Sequence, residues 1–123
     1  AIVAGLYLNR LNKGMKLQSD PTVIYALYER DGFDRVIKRV LKKDLKIASK
    51  YNTYYTKGLP PNPICIPEMS ALLSVLNAKT HTHIYMCAKA DFSGYHNFTN
   101  SWSVHKRNAK RFQKALSTKG VMR

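Results

Sequence analysis

Asn52 and Thr53 stand with Tyr51, Tyr54 and Tyr55 in the run YNTYYTKGLPPNPI, residues 51–64. Amides, hydroxyls and phenols at this density offer donors and acceptors to a polyhydroxylated or amide-bearing ligand. The same groups can anchor a turn, and residue types alone admit both readings. Proline lacks a backbone donor and fixes φ, so Pro60, Pro61 and Pro63 exclude a helix or central strand here. With Gly58 they predict a stiff, irregular loop. Proton-transfer chemistry is harder to find. Asp20 precedes Pro21 and is placed to cap a helix, where amide donors and the helix dipole favour the ionised carboxylate. It is therefore a poor proton donor. The remaining acids, Glu29, Asp31, Asp34, Asp44, Glu68 and Asp91, fall in polar or turn-like stretches and are expected to be exposed. No two of them show the spacing of a built carboxylate pair.

His81 and His83 alternate and could place two imidazoles on one strand face, but no third metal ligand accompanies them. His96, in GYHNF, is the most site-like histidine, and His105 opens a basic helical segment. Cys65 and Cys87 lack CxxC spacing and sit in apolar surroundings, PICIP and IYMCA, which predicts buried free thiols and leaves their pairing open. No GxSxG, phosphate-binding loop or GxGxxG is present, so hydrolase-elbow and nucleotide chemistry have no support. Nothing in the residues calls for a metal or a cofactor.

The elements that position these groups are mostly helical. Ile2, Val3, Leu6, Tyr7 and Leu11 recur at helical spacing, and Gly14 is a stop. A second helix starts at Asp20-Pro21 with Val23, Ala26 and Leu27 on its apolar face, and ends at Asp31-Gly32. The segment DRVIKRVLKK, residues 34–43, repeats Val36, Ile37, Val40 and Leu41 at helical spacing and predicts a third. Pro67 opens a helix to about Ala78 with Met69, Leu72, Leu73 and Leu76 inward. HIYMCAK and YHNF read as short strands around a Gly94 turn, and Ser101 caps a last helix that ends at Gly120. The expectation is an α+β fold of four or five helices and two to four short strands, without a visible domain boundary. The chain opens inside an amphipathic helix without an initiator Met, which reads as a fragment of a longer protein.

The 123 residues carry 21 basic and 7 acidic side chains, a formal charge of +14. Arg35, Lys38, Arg39, Lys42, Lys43, Lys46 and Lys50 form one cluster. Lys106, Arg107, Lys110, Arg111, Lys114, Lys119 and Arg123 form another. Such a field favours polyanions, or serves as a solvated face.

Read together, LYLNRLNKGMKLQSDPTVIY, YNTYYTKGLPPNPI, ALLSVLNA, HIYMCAKADFSGYHNF and the later His105 resemble the MltG (YceG-like) family of endolytic murein transglycosylases, in order and spacing over nearly the whole chain. Ile66 departs from the pattern, standing where many members carry asparagine. The resemblance implies a single-pass protein of the bacterial inner membrane, with a small LysM-like domain and an extracytoplasmic, periplasmic catalytic domain, of which residues 1–123 form the C-terminal part. It implies peptidoglycan glycan strands as substrate and cell-wall synthesis machinery as a partner. The implied reaction cleaves MurNAc–GlcNAc bonds within strands and leaves 1,6-anhydro-MurNAc ends. One carboxylic acid serves as acid and then base, so the absent carboxylate pair ceases to be a puzzle. The family's catalytic glutamate lies in a VEKE-like segment upstream of Ala1, which leaves no catalytic residue in these 123 and predicts an inactive fragment. Gln18, Asp20, Thr22, Asn52, Thr53, Tyr54 and His96 match positions implied to wall the glycan cleft.

Two other classes stand beside this one. A non-catalytic basic module binding an anionic polymer, peptidoglycan or nucleic acid, accounts for the charge; nucleic acid is disfavoured because no recognition motif is present. An aminodeoxychorismate-lyase-like enzyme would need a pyridoxal-phosphate lysine and a phosphate cradle, and neither is found.

Overall fold

The computed structural model describes residues 1–34, 36, 37 and 39–120. Its described elements are α1 (Ile2–Asn12), α2 (Asp20–Asp31), a 3₁₀ helix (Lys42–Lys46), α3 (Met69–Leu76), β1 (Tyr85–Ala88), β2 (His96–Thr99) and α4 (Trp102–Thr118). The fold class is α+β, as the periodicities predict. The contacts of the described residues gather into two units: Ala1–Asn9 with residues 69–120, and Arg10–Glu68. No described helix is long and apolar enough to cross a membrane.

In the first unit, β1 and β2 form an antiparallel hairpin with Tyr85 opposite Thr99, Met86 opposite Phe98, Cys87 opposite Asn97 and Ala88 opposite His96. Gly94, at φ 87°, and Phe92, at φ 57°, let the connection reverse. Lys89 N–H donates to the Tyr95 carbonyl at 2.9 Å and closes it. The Ser101 hydroxyl caps α4, accepting from Val104 N–H at 3.4 Å. The helix packs on the hairpin through a Tyr85–His105 stack, centroids 5.0 Å apart, and a Phe92–Phe112 contact at 5.9 Å. The N-terminal helix approaches residues 79–81 closely. A Cβ on Gly5 would collide with the Lys79 carbonyl oxygen and come within 2.9 Å of His81 Nε2, so only glycine fits.

The second unit is built around α2. Val23, Leu27 and Ile37 form its buried core, with Tyr28, Val40, Leu45, Ile47 and Tyr54 packed against it. Pro21 occupies the first turn, where its missing N–H has no intrahelical partner to lose. The cap position belongs to Ser19, whose side chain makes no capping bond, and Asp20 is the first helical residue. Asp20 therefore meets the dipole from inside the first turn, which corrects its expected role as cap.

Four further expectations change. Residues 34, 36, 37 and 39–41 are not helical, while Arg35, Lys38 and Arg123 lie outside the described residues. Ile37 N–H donates to the Tyr28 hydroxyl at 3.1 Å, so α2 takes the bond that a helix would have used. Asp44 is buried rather than exposed, because its carboxylate accepts from Leu41 N–H at 2.8 Å and starts the 3₁₀ turn. Met69, Leu72, Leu73 and Leu76 of α3 are 48–79% exposed rather than inward. Helical spacing fixed the helix but not what covers it. Both cysteines are free thiols; Cys65 is exposed, against expectation, and Cys87 is half-buried.

Candidate functional site

Six of the seven sequence-chosen residues, Gln18, Asp20, Thr22, Asn52, Thr53 and Tyr54, belong to the second unit. The backbone of residues 18–19 and that of residue 53 are joined directly. Gln18 N–H donates to the Thr53 carbonyl at 3.3 Å, and Ser19 N–H donates to Thr53 Oγ1 at 2.9 Å. Thr22 Oγ1 donates to the Ser19 carbonyl at 2.6 Å. A hydroxyl has one hydrogen. The 2.8 Å contact between Thr22 and Thr53 hydroxyls is therefore donated by Thr53, and Thr22 Oγ1 also accepts Thr53 N–H at 3.2 Å. Thr22 is 5% exposed and Thr53 not at all.

Asn52 is equally buried and equally occupied. Its Nδ2 donates to the carbonyls of Leu45, at 3.0 Å, and Ile47, at 2.9 Å, while its Oδ1 accepts Tyr54 N–H at 2.9 Å. The Thr56 hydroxyl adds a bond to the Asn52 carbonyl at 3.1 Å. In this structure Asn52, Thr22 and Thr53 thus face inward and hold the 51–56 turn on the start of α2. Of the two readings left open by the residue types, the anchored turn describes these three.

The exposed groups are different ones. The Tyr54 hydroxyl donates to Asp20 Oδ1 at 2.7 Å, a charge-assisted bond that fixes the carboxylate at the head of α2. Gln18 is exposed and held at φ 49°, a left-handed conformation costly for a non-glycine residue. Arg10 steadies it: this 5% exposed guanidinium donates through Nη1 to the Lys16 carbonyl at 2.6 Å and to Gln18 Oε1 at 3.5 Å. Sequence reading passed over Arg10. Its signal was its position, four residues after Leu6, on the helix's apolar stripe. Gln18, Asp20 and Tyr54 together present an amide, a carboxylate and a phenol on a preorganised backbone. Such a surface exchanges hydrogen bonds with hydroxyls and acetamido groups.

His96 lies in the other unit, on β2, half-buried, with its ring 6.2 Å from that of Phe98. His81 and His83 are near neighbours there, with centroids 5.1 Å apart. His81 Nδ1 accepts His83 N–H at 3.1 Å, which puts its proton on Nε2, 2.9 Å from the Ile2 carbonyl. Asn9 Nδ2 donates to the carbonyls of both histidines, at 2.7 and 3.0 Å. Both nitrogens of His81 are engaged, so this pair ties α1 to the segment before β1. No group of three or more His, Cys, Asp or Glu side chains suited to a metal occurs among the described residues.

The model of the YceG-like family matches residues 1–111. A Bacillus subtilis protein named endolytic murein transglycosylase is 37% identical over 110 residues, 89% of this chain and 28% of that protein. A Streptococcus pneumoniae protein of the same name is 32% identical over 107 residues, 87% of this chain and 19% of its own. The chain thus spans less than a third of the length of these curated relatives. Among solved structures, a YceG-like protein from Listeria monocytogenes superposes with a TM-score of 0.72 at 33% identity, over 86% of this chain and 31% of that one.

Proposed function

The chain belongs to the YceG-like family, and from that premise we propose that the full-length protein is a peptidoglycan endolytic transglycosylase. The observation that carries the reading is the 37% identity, over 89% of the chain, to a protein named for that activity. The reaction breaks the glycosidic bond between MurNAc C1 and the GlcNAc oxygen and forms a bond from C1 to the same MurNAc's O6. A carboxylic acid gives its proton to the leaving oxygen; as carboxylate it then takes the proton of the 6-hydroxyl. No water is consumed, and one carboxyl group suffices where retaining hydrolases use two.

None of the acids in these residues is assigned that part; it goes to a glutamate upstream of Ala1. Asp20 and Tyr54 bind sugar hydroxyls, with Asp20 as acceptor, and Gln18 offers its amide to an acetamido group. Thr22, Asn52 and Thr53 position them. The catalytic part works outside the cytoplasm, anchored by one inner-membrane span.

The test compares the full-length protein with residues 1–123 alone on purified sacculi. The full-length protein is expected to release anhydro-muropeptides, and residues 1–123 none. Release by residues 1–123 would place the acid within them and overturn the assignment.

A further inference from the structure

A groove of about 350 Å³ opens on the second unit and shares no lining residue with the Gln18, Asp20 and Tyr54 surface. That volume is at the lower end of the range for small-ligand sites, roughly 300–1,000 Å³. Ala26, 2% exposed, the half-buried Ile47 and the ring of Tyr51 supply its apolar lining. Tyr51 is held in place: its ring packs on Tyr25 with centroids 4.8 Å apart, and its hydroxyl accepts from Asn62 Nδ2 at 3.3 Å. Glu29, Arg30 and Lys50 add charge.

The three charges are not equivalent. Arg30 is engaged with Asp31 through Nε–Oδ1 at 2.8 Å and Nη2–Oδ2 at 2.7 Å, and the resulting hydrogen bonds raise the guanidinium's pKa further. That pair is close to neutral from the groove's side. Glu29 and Lys50 form no ion pair among the described residues, so the groove offers one open carboxylate and one open ammonium beside small apolar side chains. A peptide-free glycan offers at most the lactyl carboxylate of MurNAc to Lys50 and has no amine to answer Glu29. A short peptide with a free amine, a carboxylate and alanine methyls answers all three features.

We propose that this groove is a second subsite that takes the peptide stem of peptidoglycan, an inference that rests on the transglycosylase reading. The stem's carboxylate meets Lys50, its diamino-acid ammonium meets Glu29, and an alanine methyl lies over Ala26 and Ile47. The subsite selects strands that carry peptides over strands stripped of them.

The full-length protein is titrated with a synthetic stem tetrapeptide ending in D-Ala, with the same peptide acetylated on its side-chain amine, and with glycan freed of peptides by an amidase. Lys50→Glu is expected to weaken tetrapeptide binding about tenfold, and to weaken it far more than binding of naked glycan. Glu29→Gln is expected to bind the free and acetylated peptides alike, whereas the unmodified protein prefers the free one. Both side chains are exposed, so melting temperatures should hold. Absence of peptide binding while naked glycan binds overturns the subsite, as does indifference to both substitutions. Peptide binding with these substitution effects, but without any action on glycan, supports the subsite and counts against the transglycosylase reading instead.

Discussion

Replacing Asn52 by alanine removes two donated hydrogen bonds and one accepted bond from a side chain with no solvent exposure. Leaving the Leu45 and Ile47 carbonyls and Tyr54 N–H without these partners should cost about 3 kcal/mol. Activity of the full-length protein should then fall in step with its thermal midpoint. Tyr54→Phe and Asp20→Asn test the opposite case. Asp20 is exposed and its bond to Tyr54 lies at the surface, so each substitution should cost under about 1 kcal/mol while reducing glycan turnover about tenfold or more. Equal losses of stability across all three variants would return Asp20 and Tyr54 to a purely structural role. The residue types of this site were legible in the sequence, but the division between inward and outward groups was not. Nothing in YNTY says that Asn52 reaches back to Leu45 and Ile47, because those carbonyls are brought near only when the 3₁₀ turn forms. Asp91 allows a pH test. Bonds from the Ser93 hydroxyl and backbone N–H hold its carboxyl below the ordinary aspartate range. Its contribution is therefore present above the unfolded-state value and lost as pH falls through the lowered folded value. The stability gap between the unmodified protein and Asp91→Asn, measured by denaturant titration, should stay constant near neutrality and narrow only in acid.

Gly5→Ala is the sharpest test among the elements. The new methyl meets the Lys79 backbone and crowds His81, and should cost about 1–3 kcal/mol. Because His81 Nε2 bonds to the Ile2 carbonyl, hydrogen exchange should rise in α1 and residues 79–83 before it rises in α2. Uniform exchange across both units would contradict this local coupling. Elements with a cap as well as a period were legible: α2 has Pro21, α4 has Ser101, and α1 stops before Gly14 at φ 68°. Residues 34–43 had the period without the propensity. Val36, Ile37 and Val40 are β-branched and gain little from helix, and Tyr28 takes the Ile37 N–H. Ile37 inserts into the core while Val36 is 75% exposed, a pattern of single anchors rather than of a helical face. For α3 the spacing was informative about conformation alone, since an apolar stripe names no partner.

At the scale of the molecule, charge and family membership lead to separate predictions. Lys42, Lys43 and Lys46 are exposed on the 3₁₀ helix, and Lys106, Arg107, Lys110, Arg111 and Lys114 are exposed along α4. Peptidoglycan stems carry carboxylates, so a +14 chain gains long-range attraction toward them. Reversing Lys42, Lys43 and Lys46 to glutamate should weaken sacculus binding at low ionic strength and much less near 0.15 M salt, where the screening length is about 8 Å. A loss independent of salt would mean direct contacts instead of steering. The reaction class itself is decided by the ends of the cut strands. Sacculi digested by the full-length protein and analysed by mass spectrometry should yield internal fragments ending in 1,6-anhydro-MurNAc, each lighter by one water than a hydrolysed end. Fragments with reducing MurNAc or GlcNAc ends, or sacculi left intact, would contradict the account.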